Sequence, residues 1–209
     1  MPRSPRRRTE CGTVKAMETV GTAPVLLMTS PQAWEDWLAA HHAEPHGVWL
    51  QLVKKGSGLP SLSYAEALDA ALCYGWIDGQ KKPYDEPYWL QKFTPRRPRS
   101  LWSRVNTDKA LNLIACGRMT PAGLREIDAA KTDGRWDAAY APQRTSTVPE
   151  DLEQALQGYP RARAFFDTLN KVNRYAICFR IETAKKPETR HARIEKFVAM
   201  LEREEKLHP

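Results

Sequence analysis

The segment 76–106 contains the side chains of this sequence that are best suited to bind an anion. Tryptophan offers an apolar wall, arginine offers a fork of N–H donors for oxyanions, and a helix N-terminus adds unpaired backbone N–H groups. The segment reads as a β-hairpin followed by a helix start, so we expect these groups to converge where the hairpin meets the helix. The candidate ligand-binding residues are Trp76, Asp78, Arg96, Ser100, Trp102, Ser103 and Asn106.

The same residues allow two other interpretations. Tryptophans are often core residues, and the arginines beside them would then form a solvated rim. Interleaved aromatic and basic residues are also typical of surfaces that stack nucleobases and contact phosphates, although no common nucleic-acid-binding motif accompanies them. A small-anion or nucleotide pocket, a core cluster and a nucleic-acid surface therefore all stay open.

Asp78 is the one carboxylate whose position could suit acid or base chemistry, because it follows a predicted buried tryptophan and precedes Gly79. The simpler role is a turn aspartate that bonds its own backbone. The sequence contains none of the G-x-S-x-G, G-x-x-x-x-G-K-[ST] and G-x-G-x-x-G motifs. We therefore favour a non-enzymatic function, keep Asp78 as a weak catalytic candidate and predict no cofactor.

Three histidines, His41, His42 and His46, lie close together, but we predict no metal site. Pro45 interrupts the helix that their spacing would require, and no further ligand is placed nearby. The four cysteines are far apart and form no C-x-x-C pair, which is typical of reduced thiols in a cytoplasmic protein. They are Cys11, Cys73, Cys116 and Cys178.

The net charge of +7 is concentrated in two internal blocks. Residues 81–109 hold eight Lys or Arg against three Asp or Glu, and residues 161–209 hold twelve against seven. In the second block Arg190, Arg193 and Lys196 lie near one another on a predicted helix, where they could dock an acidic partner. Pairing with Glu188 and Glu195 on a solvated face explains the same pattern. The expected partners are a small anionic ligand or a protein, with nucleic acid as the alternative.

The start and stop signals along the chain predict an α+β fold. Ser30 with Pro31, and the capping box of Ser63 and Glu66, begin helices on either side of a strand over 47–55. A hairpin over 76–95 completes the predicted sheet. From Asn106, the expected cap of the next helix, only helical patterns follow. The sequence thus predicts a small antiparallel sheet covered by helices and followed by an all-helical C-terminal region.

Three parts of the chain differ in composition. We predict a disordered basic tail over 1–24, an α+β core domain over 25–140 and a helical region over 148–209 that packs on the core, with a polar loop at 141–147 between them. Hydrophobic residues are 42% and charged residues 27%, which is typical of globular proteins. No apolar run approaches the roughly 18 residues of a membrane helix or forms a signal peptide, so we predict a cytoplasmic protein without membrane insertion.

Five motifs, in this order and spacing, resemble the YdeI/OmpD-associated, bacteriocin-protection family. They are residues 71–79, 93–96, 100–106, 117–123 and 188–194, within a resemblance that covers roughly 31–205. The resemblance implies a small bacterial cytoplasmic protein linked to bacteriocin or envelope-stress protection and to an outer-membrane porin. It implies no established reaction, cofactor or substrate. We therefore expect protection or stress tolerance through a ligand or protein interaction at segment 76–106.

Overall fold

The computed structural model describes residues 18–59 and 62–209. Their contacts divide them into two compact units. The first contains residues 18–100 and 108–136, and the second contains Leu101–Thr107 and Asp137–Pro209. Both units are discontinuous in sequence, unlike the predicted domains 25–140 and 148–209. Residues 1–17, most of the predicted tail, lie outside the described part.

A five-stranded mixed sheet forms the centre of the first unit. Its strands are β1 (Glu18–Val20), β2 (Ala23–Leu27), β3 (Val48–Val53), β4 (Trp76–Pro83) and β5 (Tyr88–Pro95), in the order β1-β2-β3-β5-β4. β2 and β3 pair in parallel through the crossover helix α1 (Pro31–His41), as parallel neighbours require. The other three neighbouring pairs are antiparallel.

The α+β fold class is confirmed, with a larger sheet than the sequence predicted. The predicted strand and hairpin are β3, β4 and β5, whereas the small all-antiparallel sheet is wrong because β2 joins β3 in parallel. Residues 18–24, expected in the tail, contain β1 and the start of β2. β1 has only three residues and is followed by a turn at Gly21 that leads into β2. A strand of three residues is too short for the alternating pattern of a strand to be recognised.

Side-chain caps begin the helices of the first unit at the predicted residues. Ser30 accepts the backbone N–H of Ala33 at the start of α1. Ser63 and Glu66 form the predicted capping box of α2 (Tyr64–Cys73). These caps are confirmed because they depend only on residues three positions apart.

Helix α3 (Arg104–Ala115) begins two residues before the predicted cap. Ser103 Oγ accepts the backbone N–H of Asn106 at 3.2 Å, so Ser103 caps the helix and Asn106 is its third residue. The prediction of Asn106 as the cap is therefore wrong. Helix α4 (Pro121–Thr132) follows, and Thr120 caps it as its sequence indicates.

Aromatic residues fill the core between the sheet and α1. Trp34, Trp76 and Phe93 are fully buried. The Trp34 ring lies 6.3 Å from that of Trp76 in an edge-on contact and 5.8 Å from that of Phe93. Both indole N–H groups form hydrogen bonds: Trp34 donates to the Ala67 carbonyl at 3.1 Å, and Trp76 donates to the His42 carbonyl at 2.7 Å.

Four helices build most of the second unit. They are α5 (Glu150–Gln157), α6 (Pro160–Thr168), α7 (Lys171–Glu182) and α8 (Pro187–Glu202), and α8 contacts the other three. The predicted all-helical C-terminal region is confirmed. Its core consists of Leu152, Leu156, Ala162, Phe166, Leu169, Ile177, Cys178, Ile181, Ile194, Phe197, Val198, Met200 and Leu201.

The segment Leu101–Thr107 joins the second unit through its backbone. The N–H of Tyr140 donates to the Trp102 carbonyl at 3.0 Å, and the N–H of Arg104 donates to the Tyr140 carbonyl at 2.9 Å. These bonds form a parallel bridge between Ser103 and Tyr140. In neither of the two described ranges is a helix both long and apolar enough to cross a membrane.

Candidate functional site

The structure divides the seven predicted ligand-binding residues between the two units. Trp76, Asp78, Arg96 and Ser100 belong to the first unit, and Trp102, Ser103 and Asn106 belong to the second. Trp76, Arg96 and Trp102 are buried, with 0%, 5% and 2% of their surfaces exposed. The two tryptophans are thus core residues, which is the structural interpretation that the sequence left open.

Asp78 lies on β4 and is held by a tyrosine. Its Oδ2 accepts a hydrogen bond from the Tyr64 hydroxyl at 2.8 Å, across the start of α2. The Tyr64 ring also lies 6.2 Å from the ring of Trp89 on β5. Asp78 therefore helps to position an aromatic pair. Its use as an acid or base stays a prediction.

Three of the other predicted ligand-binding residues, Arg96, Ser100 and Ser103, form hydrogen bonds within the fold. The Arg96 N–H donates to the Gly75 carbonyl at 3.0 Å, and the Ser100 carbonyl accepts from Nη1 of Arg135 at 2.9 Å. Ser103 caps α3. None of the seven predicted residues lines the groove that we describe next.

A β-bulge in β4 changes which side chains face each side of the sheet. Asp78 pairs with Phe93, and Lys81 pairs with Gln91. The two pairs are three residues apart on β4 but two residues apart on β5, so β4 has one extra residue. The Gln91 amide fills the bulge by donating to the Gly79 carbonyl at 2.9 Å. Because directly opposed residues share a face, Lys81 lies on the face of Asp78 and Gln91.

The bulge places two neighbouring lysines on different tryptophans. The Lys81 ammonium lies 5.7 Å from the centre of the Trp89 ring on one face. On the other face, Lys82 lies 5.0 Å and Lys92 5.6 Å from the centre of the Trp49 ring. Such cation–π contacts fix ammonium groups over apolar surface while leaving them accessible.

A groove of about 480 Å³ lies at this end of the sheet. It is lined by Lys54, Lys55, Lys81, Lys82, Pro83 and Trp89, and we call it the lysine–tryptophan groove. β5 lies between β3 and β4, so the two lysine pairs flank Trp89 from both sides. In the part of the chain that the structure describes, none of these four lysines forms an ion pair with a carboxylate.

The groove can attract an anion and pack a flat group against an indole ring. Lys54 is anchored, since its ammonium donates to the Asp85 carbonyl at 2.7 Å. Lys54 and Lys55 were missed as site residues because they follow a different strand from the aromatic segment. The sequence feature that could have indicated the groove is two Lys-Lys pairs, Lys54-Lys55 and Lys81-Lys82, each at the end of a predicted strand.

His41 and the buried thiols do not add a reactive centre. The His41 ring stacks on Trp37 with ring centres 4.6 Å apart, and its Nδ1 lies 2.8 Å from the Trp37 carbonyl. Within 18–59 and 62–209, no group of three His, Cys, Asp or Glu residues could hold a metal ion. Burial raises the pKa values of Cys73 and Cys178 to about 11, so both are weak nucleophiles at neutral pH.

Two of the three predicted docking residues on α8 make contacts inside the helical unit. Arg190 bonds Asp151 on α5, and Arg193 donates to the Arg180 carbonyl on α7. Lys196 is exposed. The docking surface stays a prediction, with Arg190 engaged in holding helices together.

A mixed sheet with covering helices and a separate helical unit defines an α+β protein of two compact parts. Residues 145–204 match the model of the family described as Bacteriocin-protection, YdeI or OmpD-Associated. The resemblance predicted from the sequence is thus confirmed for residues 145–204, which lie in the helical unit and are similar to this family.

The family match is shorter than the predicted resemblance over 31–205. Residues 26–126 match another model, a domain of unknown function (DUF8412). Four of the five motifs lie in that region, and only the motif at 188–194 lies inside the bacteriocin-protection match. No curated protein and no solved structure matches the chain significantly.

Proposed function

We propose that this chain acts in bacteriocin protection or envelope-stress tolerance in the cytoplasm, as a binding protein rather than an enzyme. The family of residues 145–204 supports the process, because its description names that protection. The lysine–tryptophan groove supports the mode of action. In this proposal the groove takes an anionic group of a small ligand or of an acidic protein partner.

The observation that carries the proposal is the arrangement of cations around Trp89. The Lys81 ammonium lies over the ring, and Lys54, Lys55 and Lys82 line the same groove. Among the described residues these lysines form no ion pair with a carboxylate, so they give a local positive potential that a bound anion would neutralise. Trp89 adds apolar contact area, which a bare cluster of surface lysines does not provide.

The predicted site residue Asp78 supports the groove indirectly. Asp78 holds the Tyr64 hydroxyl, and the Tyr64 ring lies beside Trp89. Asp78 is therefore proposed as a positioning residue for the aromatic side of the groove. Its own negative charge would not favour contact with an anion.

A double substitution, Lys81→Gln with Lys82→Gln, tests the proposal. Isothermal titration calorimetry with inorganic pyrophosphate should show binding to the wild type that weakens about tenfold or more in the variant, since charge-assisted contacts are lost. Survival of a strain lacking the gene, challenged with bacteriocin, should be restored by the wild type and less by the variant.

Lys131→Gln is the matched control. Lys131 also lies over a tryptophan, 5.5 Å from the centre of the Trp136 ring, but outside the groove. This variant should bind the probe and protect cells like the wild type. Equal loss in both variants, or full protection by the groove variant, would contradict the proposed role of the groove.

Nucleic acid is the second candidate, favoured by lysines that lie over a tryptophan on each face of the sheet, Lys81 over Trp89 and Lys82 with Lys92 over Trp49. Here Trp89 and the lysines would act as a stacking and phosphate-binding surface. For single-stranded DNA, the slope of log affinity against log salt should be about −0.7 per phosphate contact. Lys81→Gln with Lys82→Gln should make that slope shallower. A slope unchanged by the substitution would exclude the groove as the nucleic-acid surface.

A further inference from the structure

A second basic cleft lies in the helical unit and contains no residue predicted from the sequence to bind a ligand. It runs along α7 beside the loop 143–148 and encloses about 300 Å³. The residues that line it include Arg144, Ser146, Lys171, Arg174, Tyr175 and Cys178. We call it the α7 cleft.

Three cations line the α7 cleft. Among the described residues, Arg144, Lys171 and Arg174 form no ion pair with a carboxylate. The nearby carboxylate of Asp167 is paired instead with Arg163 at 3.0 Å. The cations of the cleft therefore have charge available for a bound anion.

Arg174 is held in a fixed orientation. Its Nε donates to the Leu169 carbonyl at 3.0 Å and its Nη2 to the Asp167 carbonyl at 2.6 Å. The guanidinium also lies 5.9 Å from the centre of the Phe166 ring. The remaining N–H groups are pre-organised, which lowers the entropy lost when they bind an oxyanion.

The wall of the cleft offers a hydroxyl and no competing negative charge. Ser146 Oγ is buried without a hydrogen-bond partner in the part of the chain that the structure describes. The Tyr175 hydroxyl donates to the Ala141 carbonyl at 3.2 Å, and the Cys178 thiol stays protonated at neutral pH because burial raises its pKa to about 11. A buried hydroxyl beside three cations is suited to donate to a ligand oxygen.

We propose that the α7 cleft binds a small oxyanion of the phosphate class, either free phosphate or the phosphoryl group of a small molecule. The three cations more than offset the two negative charges of a phosphate dianion, and Arg174 provides the fork of donors that its oxygens prefer. The volume of about 300 Å³ suits a small ligand. This site is independent of the lysine–tryptophan groove, because all its residues lie in the second unit.

Titration of the full chain with inorganic phosphate at constant ionic strength tests this site. Arg144→Gln and Lys171→Gln remove exposed cations without removing a helix contact, and each should weaken phosphate binding about tenfold. Lys185→Gln is the matched control at the other end of α7 and should leave the affinity unchanged. Absence of saturable binding to the wild type, or equal weakening by Lys185→Gln, would overturn the proposal.

Two further variants locate the bound phosphate. Arg174→Lys keeps the charge but removes the fork, so its affinity should also fall. Lys81→Gln with Lys82→Gln should leave this affinity unchanged. If that pair alone abolishes phosphate binding, the ion occupies the lysine–tryptophan groove and the α7 cleft is not a site. Near-wild-type thermal unfolding of each variant ensures that lost binding is not lost folding.

Discussion

Arg190 holds Asp151 through two parallel hydrogen bonds, from Nε to Oδ2 at 2.5 Å and from Nη2 to Oδ1 at 2.8 Å. Nη1 of the same arginine donates to the Ile181 carbonyl at 3.1 Å. One side chain of α8 thus bonds both the first turn of α5 and the last turn of α7. Arg190, predicted from the sequence to form a docking surface with Arg193 and Lys196, therefore fixes the helices of its own unit.

Arg190→Gln should destabilise the helical unit by about 1 kcal/mol at neutral pH. The two bonds are charge-assisted, but the side chains of Arg190 and Asp151 are 32% and 41% exposed, so solvent screening reduces their contribution. Urea denaturation followed by circular dichroism measures the loss. Arg203→Gln is the control, because the ion pair of Arg203 with Glu205 lies on an exposed turn and is screened by solvent, so this variant should unfold like the wild type.

The effect of Arg190→Gln should depend on pH. The hydrogen bonds from Arg190 lower the pKa of Asp151 below its ordinary value of 3.8. Stability from this carboxylate is therefore present above that value and is lost as the pH falls through the lower pKa of the folded state. The difference between wild type and variant should shrink at low pH. A difference that grows on acidification would show that the ion pair is not its cause.

Trp34→Phe should cost about 2 to 3 kcal/mol of unfolding free energy. The fully buried indole would be replaced by a smaller ring, and the Ala67 carbonyl would lose the hydrogen bond that it accepts from the indole N–H. Trp37→Phe is the matched control one turn along α1, where the indole is only half-buried, and its cost should stay below about 1 kcal/mol. Urea midpoints with an unchanged denaturant slope would compare the two; equal costs would argue against Trp34 as the centre of the core.

Gln91→Leu should disturb the bulge in β4. Gln91 is buried, and its amide donates to the carbonyls of Gly79 and Gln80 at 2.9 and 3.3 Å. Loss of these donors should cost about 1 to 3 kcal/mol and displace Lys81 from Trp89, weakening pyrophosphate binding to the groove. Gln80→Ala removes only an exposed side chain and serves as the control. If Gln91→Leu is destabilised but binds pyrophosphate like the wild type, the bulge does not position the lysines of the groove.

Cysteine reactivity should follow burial. Cys116 is exposed, whereas Cys73 and Cys178 are buried with pKa values raised to about 11, so few of their thiols are thiolates at about pH 8. Of the three cysteines that the structure describes, iodoacetamide should label Cys116 first, and Cys73 and Cys178 only after urea is added. Peptide mass spectrometry follows each site. Early labelling of Cys178 in the folded protein would contradict its place in the helical core.

The sequence predicted those parts of the fold that depend on neighbouring residues. The capping box of Ser63 and Glu66 and the hairpin over 76–95 are local features, and both are present. The parallel pairing of β2 with β3 was missed because it joins residues separated by a whole helix. Ser103 and Asn106 are both good caps, and only the backbone geometry distinguishes them.

The candidate site was harder to predict than the fold. The anion-binding groups were placed on Arg96 and the nearby tryptophans, yet Arg96 and Trp76 are buried. Residue type alone does not show which aromatic residues face the core. Lys54 and Lys81 line one groove because β5, which carries Trp89, lies between β3 and β4. The order of strands, which follows from long-range pairing, decides which cations share a groove.

The bridge between Ser103 and Tyr140 has a consequence for how this chain can be divided. The family match begins at residue 145, but the compact helical unit also includes Leu101–Thr107 and residues 137–144. A fragment cut at the family boundary would lack the buried Trp102 and the backbone bonds of Tyr140. The range that matches the family model and the range that forms a compact unit therefore have different limits in this chain.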